Sequence, residues 1–133
     1  MKKFNFKSID IEAENVFRIN EMKNGKTTIL NKRIHHAAIK YAKKNNMLVI
    51  CDRQSIYGNP YVMRSEAERS EVVKKFWYDI KNGKSKLTAS NFNALHGKAL
   101  LCWCAPLRCH CEALKFVADK LHNGTSLNEI RNM

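Results

Sequence analysis

The sequence lacks any apolar run long enough to span a bilayer. Its longest apolar segments, residues 47–50 and 99–106, fall far short of the roughly 20 residues that a membrane helix needs. A secretory signal is also missing, because Lys2 and Lys3 are followed by a mixed polar and aromatic stretch and not by an apolar run. We therefore expect a soluble, cytoplasmic protein with no membrane partner.

The chain also lacks repeats, low-complexity segments and linkers. Its 133 residues, 44% of them hydrophobic, suit one domain with one core. The 5 cysteines make an odd count, whereas a secreted disulfide scaffold usually has an even one. We therefore expect a single domain, residues 1–133, that carries reduced thiols.

Carboxylates are scarce in this chain. It has 24 Lys and Arg against 12 Asp and Glu, a net charge of +12, and residues 23–50 contain no carboxylate at all. Such a basic block is typical of proteins that bind phosphates in nucleotides or nucleic acid, although a solvated lysine-rich face has the same composition. The candidate nucleic-acid-binding residues, which lie off the apolar face of a predicted helix in this block, are Arg33, Lys40, Lys43 and Lys44.

The N-terminal part of the chain has the pattern of a β-hairpin. Phe17 and Ile19 alternate with polar residues, as do Thr28 and Leu30, and an Asn-Gly dipeptide lies between the two runs. Both residues of such a dipeptide tolerate the positive φ that hairpin turns require. The pattern predicts an antiparallel hairpin, with residues 1–27 as an N-terminal extension.

Beyond the hairpin, strand and helix patterns alternate. Short apolar runs at residues 47–51 and 98–103 predict buried strands, and apolar residues recur at helical spacing in three segments between residues 34 and 121. This alternation predicts an α/β fold, a single small layered domain with a mostly parallel sheet flanked by helices. Residues 28–121 would form its core and residues 122–133 a C-terminal tail.

Four of the cysteines are concentrated in residues 102–112. Structural zinc sites usually present two ligand pairs separated by a dozen residues or more, and closing a tetrahedron from so short a segment is sterically difficult. Zinc is therefore the less favoured interpretation, and we expect no cofactor. The ligands of that alternative zinc site would be Cys102, Cys104, Cys109 and Cys111.

An anion site suits the same segment better. It joins a predicted buried strand to a predicted helix, and helix N-termini bind anions through unpaired N–H groups. A cysteine at a helix N-terminus is also activated as a thiolate, so Cys109 is the candidate nucleophile, with His110 and Glu112 as acid–base groups. Cys102 and Trp103 are expected to pack in the core.

A second loop, residues 53–60, follows the other predicted buried strand. In a parallel sheet the two loops would lie at the same edge, where ligands of open α/β sheets usually bind. Arg53 offers a bidentate grip on a phosphate or carboxylate, and Asn59 offers an amide to a base or sugar. The two loops therefore predict one anion-binding pocket.

The order of several motifs resembles a small bacterial and phage family, domain of unknown function 4326. The resemblance rests on Arg53, Gly58-Asn59-Pro60, Arg69 and the run C-W-C-A-P-L-R-C-H, and covers about residues 28–121. It implies that one constellation contains Arg53, Asn59, Arg69, Cys102, Cys104, Cys109 and His110. In that constellation Arg69 and Cys104 join the ligand-binding candidates, while the family implies no reaction. Where the family reads Cys-His-Gly-Asp, this chain has Cys111 in place of the glycine.

These patterns predict a nucleotide- or nucleic-acid-directed α/β domain and leave open whether it is an enzyme. One alternative is a non-enzymatic basic module that binds nucleic acid and uses the cysteine turn structurally. The other is a phage protein that binds an acidic host partner. Binding to nucleic acid would weaken steeply with salt, because phosphate contacts release counterions.

Overall fold

The computed structural model describes residues 9–103 and 109–133. A short 3₁₀ helix at Glu66–Glu68 leads directly into the third α-helix. None of the described helices has an apolar stretch long enough to cross a membrane. The elements of this part of the chain are, in order, α1 (Ile11–Lys23), β1 (Thr28–Asn31), α2 (His36–Lys44), β2 (Leu48–Ile50), α3 (Arg69–Lys81), α4 (Ala89–Asn93), β3 (Ala99–Cys102), α5 (His110–His122) and α6 (Leu127–Arg131).

The three strands form one parallel sheet with β3 in the centre, in the order β1-β3-β2. Successive side chains of a strand point to opposite faces of a sheet. Accordingly Ile29 and Leu100 pack with α3 to α6, while Leu30 and Leu101 pack with α1 and α2. The sheet is therefore the middle of three layers, and the predicted α/β fold with a parallel sheet flanked by helices is confirmed.

The predicted N-terminal hairpin is wrong, because Ile11–Lys23 is the helix α1. Asp10 caps this helix by accepting a hydrogen bond from the N–H of Ala13 at 3.0 Å. Acidic residues in the first turn also stabilise the helix, because they interact with the positive end of its dipole. The alternation around Phe17 does not mark a buried sheet face, since that side chain is 54% exposed. Gly25, at φ 72°, follows the helix, and β1 pairs in parallel with β3.

Two buried polar side chains fasten α1 to the start of α2. Asn15 accepts the N–H of Ala38 at 2.9 Å. His35 accepts the N–H of Asn31 at Nδ1 (2.6 Å), and its Nε2 lies 3.0 Å from a carboxylate oxygen of Glu14. Because a backbone N–H always donates, Nδ1 carries no proton and the imidazole is neutral, with Nε2 donating to the carboxylate.

Acid is expected to weaken this junction. Burial lowers the pKa of His35 below its usual value of 6.5, so the unfolded chain binds the proton more readily than the folded one. The free energy of unfolding should therefore decrease as the pH falls through about 6.5 and level off below the folded-state pKa. We expect His35→Gln to lose this pH dependence of the free energy of unfolding. Urea denaturation across that pH range measures it. A difference between wild type and variant that does not change with pH would contradict the assignment.

The segment predicted as a C-terminal tail contains α6, which packs on the domain. Ile130 is fully buried in the core that α3 and α5 also form. Arg131 donates from Nε to the carbonyl oxygen of Ile80 at 3.1 Å, near the end of α3. Residues at the C-terminal end thus cover the same face of the sheet as α3, α4 and α5.

Candidate functional site

The carboxyl ends of β2 and β3 border a cleft of about 270 Å³. Because the strands are parallel, their ends share one edge of the sheet, the edge at which open α/β sheets bind ligands. Cys104 lies in residues 104–108, outside the described residues. The predicted site residues that the structure brings together around the cleft are Arg53, Asn59, Arg69, Cys102, Cys109 and His110.

Cys109 and His110 form an oriented pair at the start of α5. Nε2 of His110 lies 2.9 Å from the backbone oxygens of both Cys51 and Tyr57. Carbonyl oxygens only accept, so Nε2 carries the proton, and Nδ1, 3.7 Å from Sγ of Cys109, acts as the acceptor. Sγ of Cys109 also accepts the N–H of Cys111 at 3.4 Å, as the N-cap of the helix. A negative charge on this sulfur would therefore face an imidazole and a helix N-terminus.

The surroundings of His110 favour its protonation. Burial by itself disfavours the imidazolium, but negative charge on the sulfurs of Cys109 and Cys102, together with the Cys51 carbonyl, outweighs it and raises the pKa of His110 above its usual 6.5. The ring meets Phe76 edge-on, with centroids 5.1 Å apart, which holds its orientation. An imidazole placed in this way is suited to take the proton of the neighbouring thiol.

Three buried thiols lie together beside this pair. The Sγ atoms of Cys102, Cys109 and Cys111 are all within 4.8 Å of one another. Hydrogen bonding with the thiols of Cys102, Cys109 and Cys51, together with burial, raises the pKa of Cys111 well above its usual range, so Cys111 is a neutral thiol. Sulfur ligands at such separations are suited to a soft metal ion, and these three cysteines are the potential metal ligands in the described part of the chain.

The role of Cys51 could not be read from its place in the sequence, far from the other cysteines. It is fully buried at the end of β2, its carbonyl oxygen accepts from His110, and its thiol neighbours that of Cys111. One signal was present: Cys51 is the last residue of the predicted strand 47–51, as Trp103 is of the predicted strand 98–103. In a parallel sheet, residues in that position meet at the same edge.

Two arginines bring positive charge to the cleft in different ways. Arg69 makes a bidentate ion pair with Glu66, at 2.8 and 2.6 Å, which holds its guanidinium against the wall of the cleft. Arg53 is exposed, and in residues 9–103 and 109–133 its guanidinium has no hydrogen-bond or ion-pair partner. Arg53 is therefore the cation better placed to bind an entering anion.

The loop that carries Arg53 is held in a fixed shape. Asn59 accepts the N–H of Tyr61 and donates to the carbonyl oxygen of Val72, both at 3.0 Å, so its amide ties the loop to α3. A Cβ on Gly58 would overlap the Asp52 carbonyl group, which explains the glycine at that position. The amide of Asn59 thus has a structural task, and its predicted contact with a ligand remains a prediction.

Trp103 stands at the mouth of the cleft. The expectation that it packs in the core is wrong, since the side chain is 46% exposed, whereas Cys102 is buried as expected. The strand β3 ends at Cys102, so Trp103 projects beyond the edge of the sheet. Nζ of Lys32 lies 4.8 Å, and Cζ of Arg33 5.7 Å, from the indole centroid. Trp103 therefore lines the cleft, and the two cations lie against its ring.

The structure separates the four predicted nucleic-acid-binding residues, which do not form one patch. Arg33 precedes α2 at the carboxyl edge of the sheet, while Lys43 and Lys44 occupy the last turn of that helix and Lys40 lies between. A helix of 9 residues is about 13 Å long. Since α2 connects the carboxyl end of β1 with the amino end of β2, Lys43 and Lys44 lie toward the opposite edge from Arg33.

Glu112, predicted as an acid–base group, is exposed and does not line the cleft among the described residues. It borders a separate groove on the surface of α5, together with Lys115 and Asp119. The neighbouring helix position, Cys111, points into the core instead. A role for Glu112 in the same reaction as Cys109 therefore rests on the sequence prediction alone.

Fold and site together define a small α/β protein whose cleft lies at the carboxyl edge of a three-stranded parallel sheet. Residues 34–120 match the family described as "Domain of unknown function (DUF4326)", and the chain belongs to that family. The family predicted from the order of the motifs is thus confirmed. No curated protein and no solved structure matches the chain.

Proposed function

We propose that the cleft binds a phosphate-bearing ligand of the nucleotide or nucleic-acid class, and that Cys109 and His110 are its reactive groups. The observation that carries this proposal is that Arg53 and Arg69 line the same cleft as the Cys109–His110 pair. A net charge of +12 adds a long-range attraction for such ligands. The same proposal assigns the protein to a reducing, cytoplasmic compartment, in which the thiol form of a reactive Cys109 would persist.

In this proposal Cys109 is the nucleophile and His110 is its base. The two backbone oxygens at 2.9 Å from Nε2 keep the proton on that nitrogen, so Nδ1 takes the proton of the thiol. The same oxygens stabilise the resulting imidazolium, and the N–H of Cys111 stabilises the thiolate. Arg53 would hold the phosphate beside the sulfur.

Arg53→Ala should weaken phosphate binding about tenfold or more, because a hydrogen bond to a charged group contributes roughly 1.5–3 kcal/mol. Isothermal titration calorimetry with inorganic phosphate, and then with a nucleoside monophosphate, measures the effect. Lys43→Ala is the matched control, since it removes one exposed positive charge at the opposite edge of the sheet. Equal losses in the two variants, or unchanged binding by Arg53→Ala, would contradict the proposal.

A structural metal site is the second candidate, and the cluster of Cys102, Cys109 and Cys111 is the observation that favours it. Zinc bound there would occupy the sulfur of Cys109 and make it a ligand in place of a nucleophile. Elemental analysis beside thiol counting separates the two candidates. About one zinc per chain, lost in Cys111→Ser, would favour the metal site, and rapid modification of a metal-free Cys109 would favour the thiolate.

A further inference from the structure

The exposed indole of Trp103 is a feature that anion binding in the cleft leaves unexplained. An indole that is 46% exposed at the mouth of the cleft offers a flat apolar face to a ligand. Lys32 and Arg33 both lie within 6 Å of the ring centroid, at 4.8 and 5.7 Å. An aromatic face among cations is the combination with which proteins bind single-stranded nucleic acid, where bases stack and phosphates pair with positive charge.

The size of the cleft indicates where the base of a bound nucleotide would lie. Pockets that enclose a whole small-molecule ligand measure roughly 300–1,000 Å³, and this cleft is slightly smaller, at about 270 Å³. A nucleotide bound with its phosphate next to Arg53 would therefore not be enclosed completely. The attached base then remains at the rim, where Trp103 presents its ring.

A second cavity next to Arg53 is also bordered by positively charged side chains. It measures about 800 Å³, lies beside the 53–60 loop and shares Arg53 and Asn59 with the cleft. Lys84 and Lys86 are exposed at its border. Cations are therefore available on both sides of Arg53, more than a single phosphate group requires.

We infer that the ligand is single-stranded nucleic acid, with one base stacked on Trp103 and the neighbouring phosphates along Lys32, Arg33 and Arg53 toward the second cavity. The inference rests on the proposed function and names its substrate class. A cation–π contact at an exposed site is weaker than the stacking of a base on an aromatic ring, so a base can displace Lys32 from the indole. A duplex keeps its bases stacked on one another and cannot present a base face to Trp103.

Fluorescence of Trp103 tests the stacking directly. In Trp77→Phe this indole is the remaining tryptophan, because the chain has 2. We expect a short oligothymidylate to quench it saturably, thymidine monophosphate to bind more weakly, and the same oligonucleotide in a duplex to give little quenching. Trp77 packs against Phe116, so circular dichroism verifies the fold of the variant. As a second route, Trp103→Ala in the otherwise native chain should weaken binding of a labelled oligonucleotide about tenfold.

A pair of double variants tests the path of the phosphates. Lys32→Ala with Arg33→Ala should weaken oligonucleotide binding about tenfold or more and make its salt dependence shallower by about 1.4 in the logarithmic slope, because two single-strand contacts are lost. Lys43→Ala with Lys44→Ala removes the same charge from the far end of α2 and should change both quantities little. Equal losses in the two double variants would overturn the inference.

The remaining outcomes separate the inference from the proposed function. If phosphate binding depends on Arg53 but an oligonucleotide does not quench Trp103, the substrate class is wrong and the anion site stands. Equal binding of duplex and single strand would also refute stacking on Trp103. If neither phosphate nor oligonucleotide binds, both proposals fail.

Discussion

Gly58→Ala is expected to abolish phosphate binding and to lower the free energy of unfolding by about 1–3 kcal/mol. The added Cβ would overlap the Asp52 carbonyl group and lie 2.7 Å from Cα of Arg53. All of these atoms belong to the backbone, so no side chain can rotate away and the loop itself must move. That movement displaces Arg53 from the cleft and the carbonyl oxygen of Tyr57 from His110.

Gly25→Ala is the matched control for this experiment. Nothing lies within 4 Å of a Cβ there, but the residue has φ 72°, so alanine would be strained by about 1–2 kcal/mol without a clash. Urea denaturation should therefore show a loss in both variants, while phosphate calorimetry should show a loss only in Gly58→Ala. Wild-type phosphate affinity in Gly58→Ala would mean that the loop does not form the anion site.

His110→Gln should slow the alkylation of Cys109 by iodoacetamide about tenfold or more near neutral pH. An ordinary thiol is only a few per cent thiolate at pH 7, and the thiolate is the form that reacts. In the proposed mechanism, Nδ1 of the wild-type His110 would take the proton of Cys109, and the raised pKa of His110 would keep that proton on the ring. Glutamine retains an amide N–H for the carbonyl oxygens of Cys51 and Tyr57, so the base is lost while a donor remains.

Mass spectrometry after a short exposure to the reagent assigns the modified cysteine, and Cys109→Ser confirms the assignment. His122→Gln is the control, because this exposed histidine lies at the other end of α5. Reactivity of the wild type should persist to lower pH than that of His110→Gln. Identical pH profiles for the two proteins would remove His110 as the base of Cys109.

The convergence of the two loops followed from the sequence because a parallel sheet leaves little choice. Strands in one direction carry the residues after them to one edge, so Arg53 and Cys109 were expected to meet, and both line the cleft. The hairpin was wrong for a physical reason as well. An alternation of apolar and polar residues favours a strand, but helix capping and tertiary hydrogen bonds can outweigh it. Here the cap at Asp10 and the buried amide of Asn15 stabilise a helix.

By itself, the sequence determined the layered α/β fold, the family and the edge of the sheet at which the candidate site lies. These properties depend on hydrophobic periodicity and on turn residues, which act over short distances along the chain. Only the tertiary structure decided that Cys51 joins the other thiols, that Trp103 is exposed at the rim, and that Arg33 is separated from Lys43 and Lys44. These properties depend on where each strand ends and on the direction in which a helix crosses the sheet. Local sequence patterns determine neither.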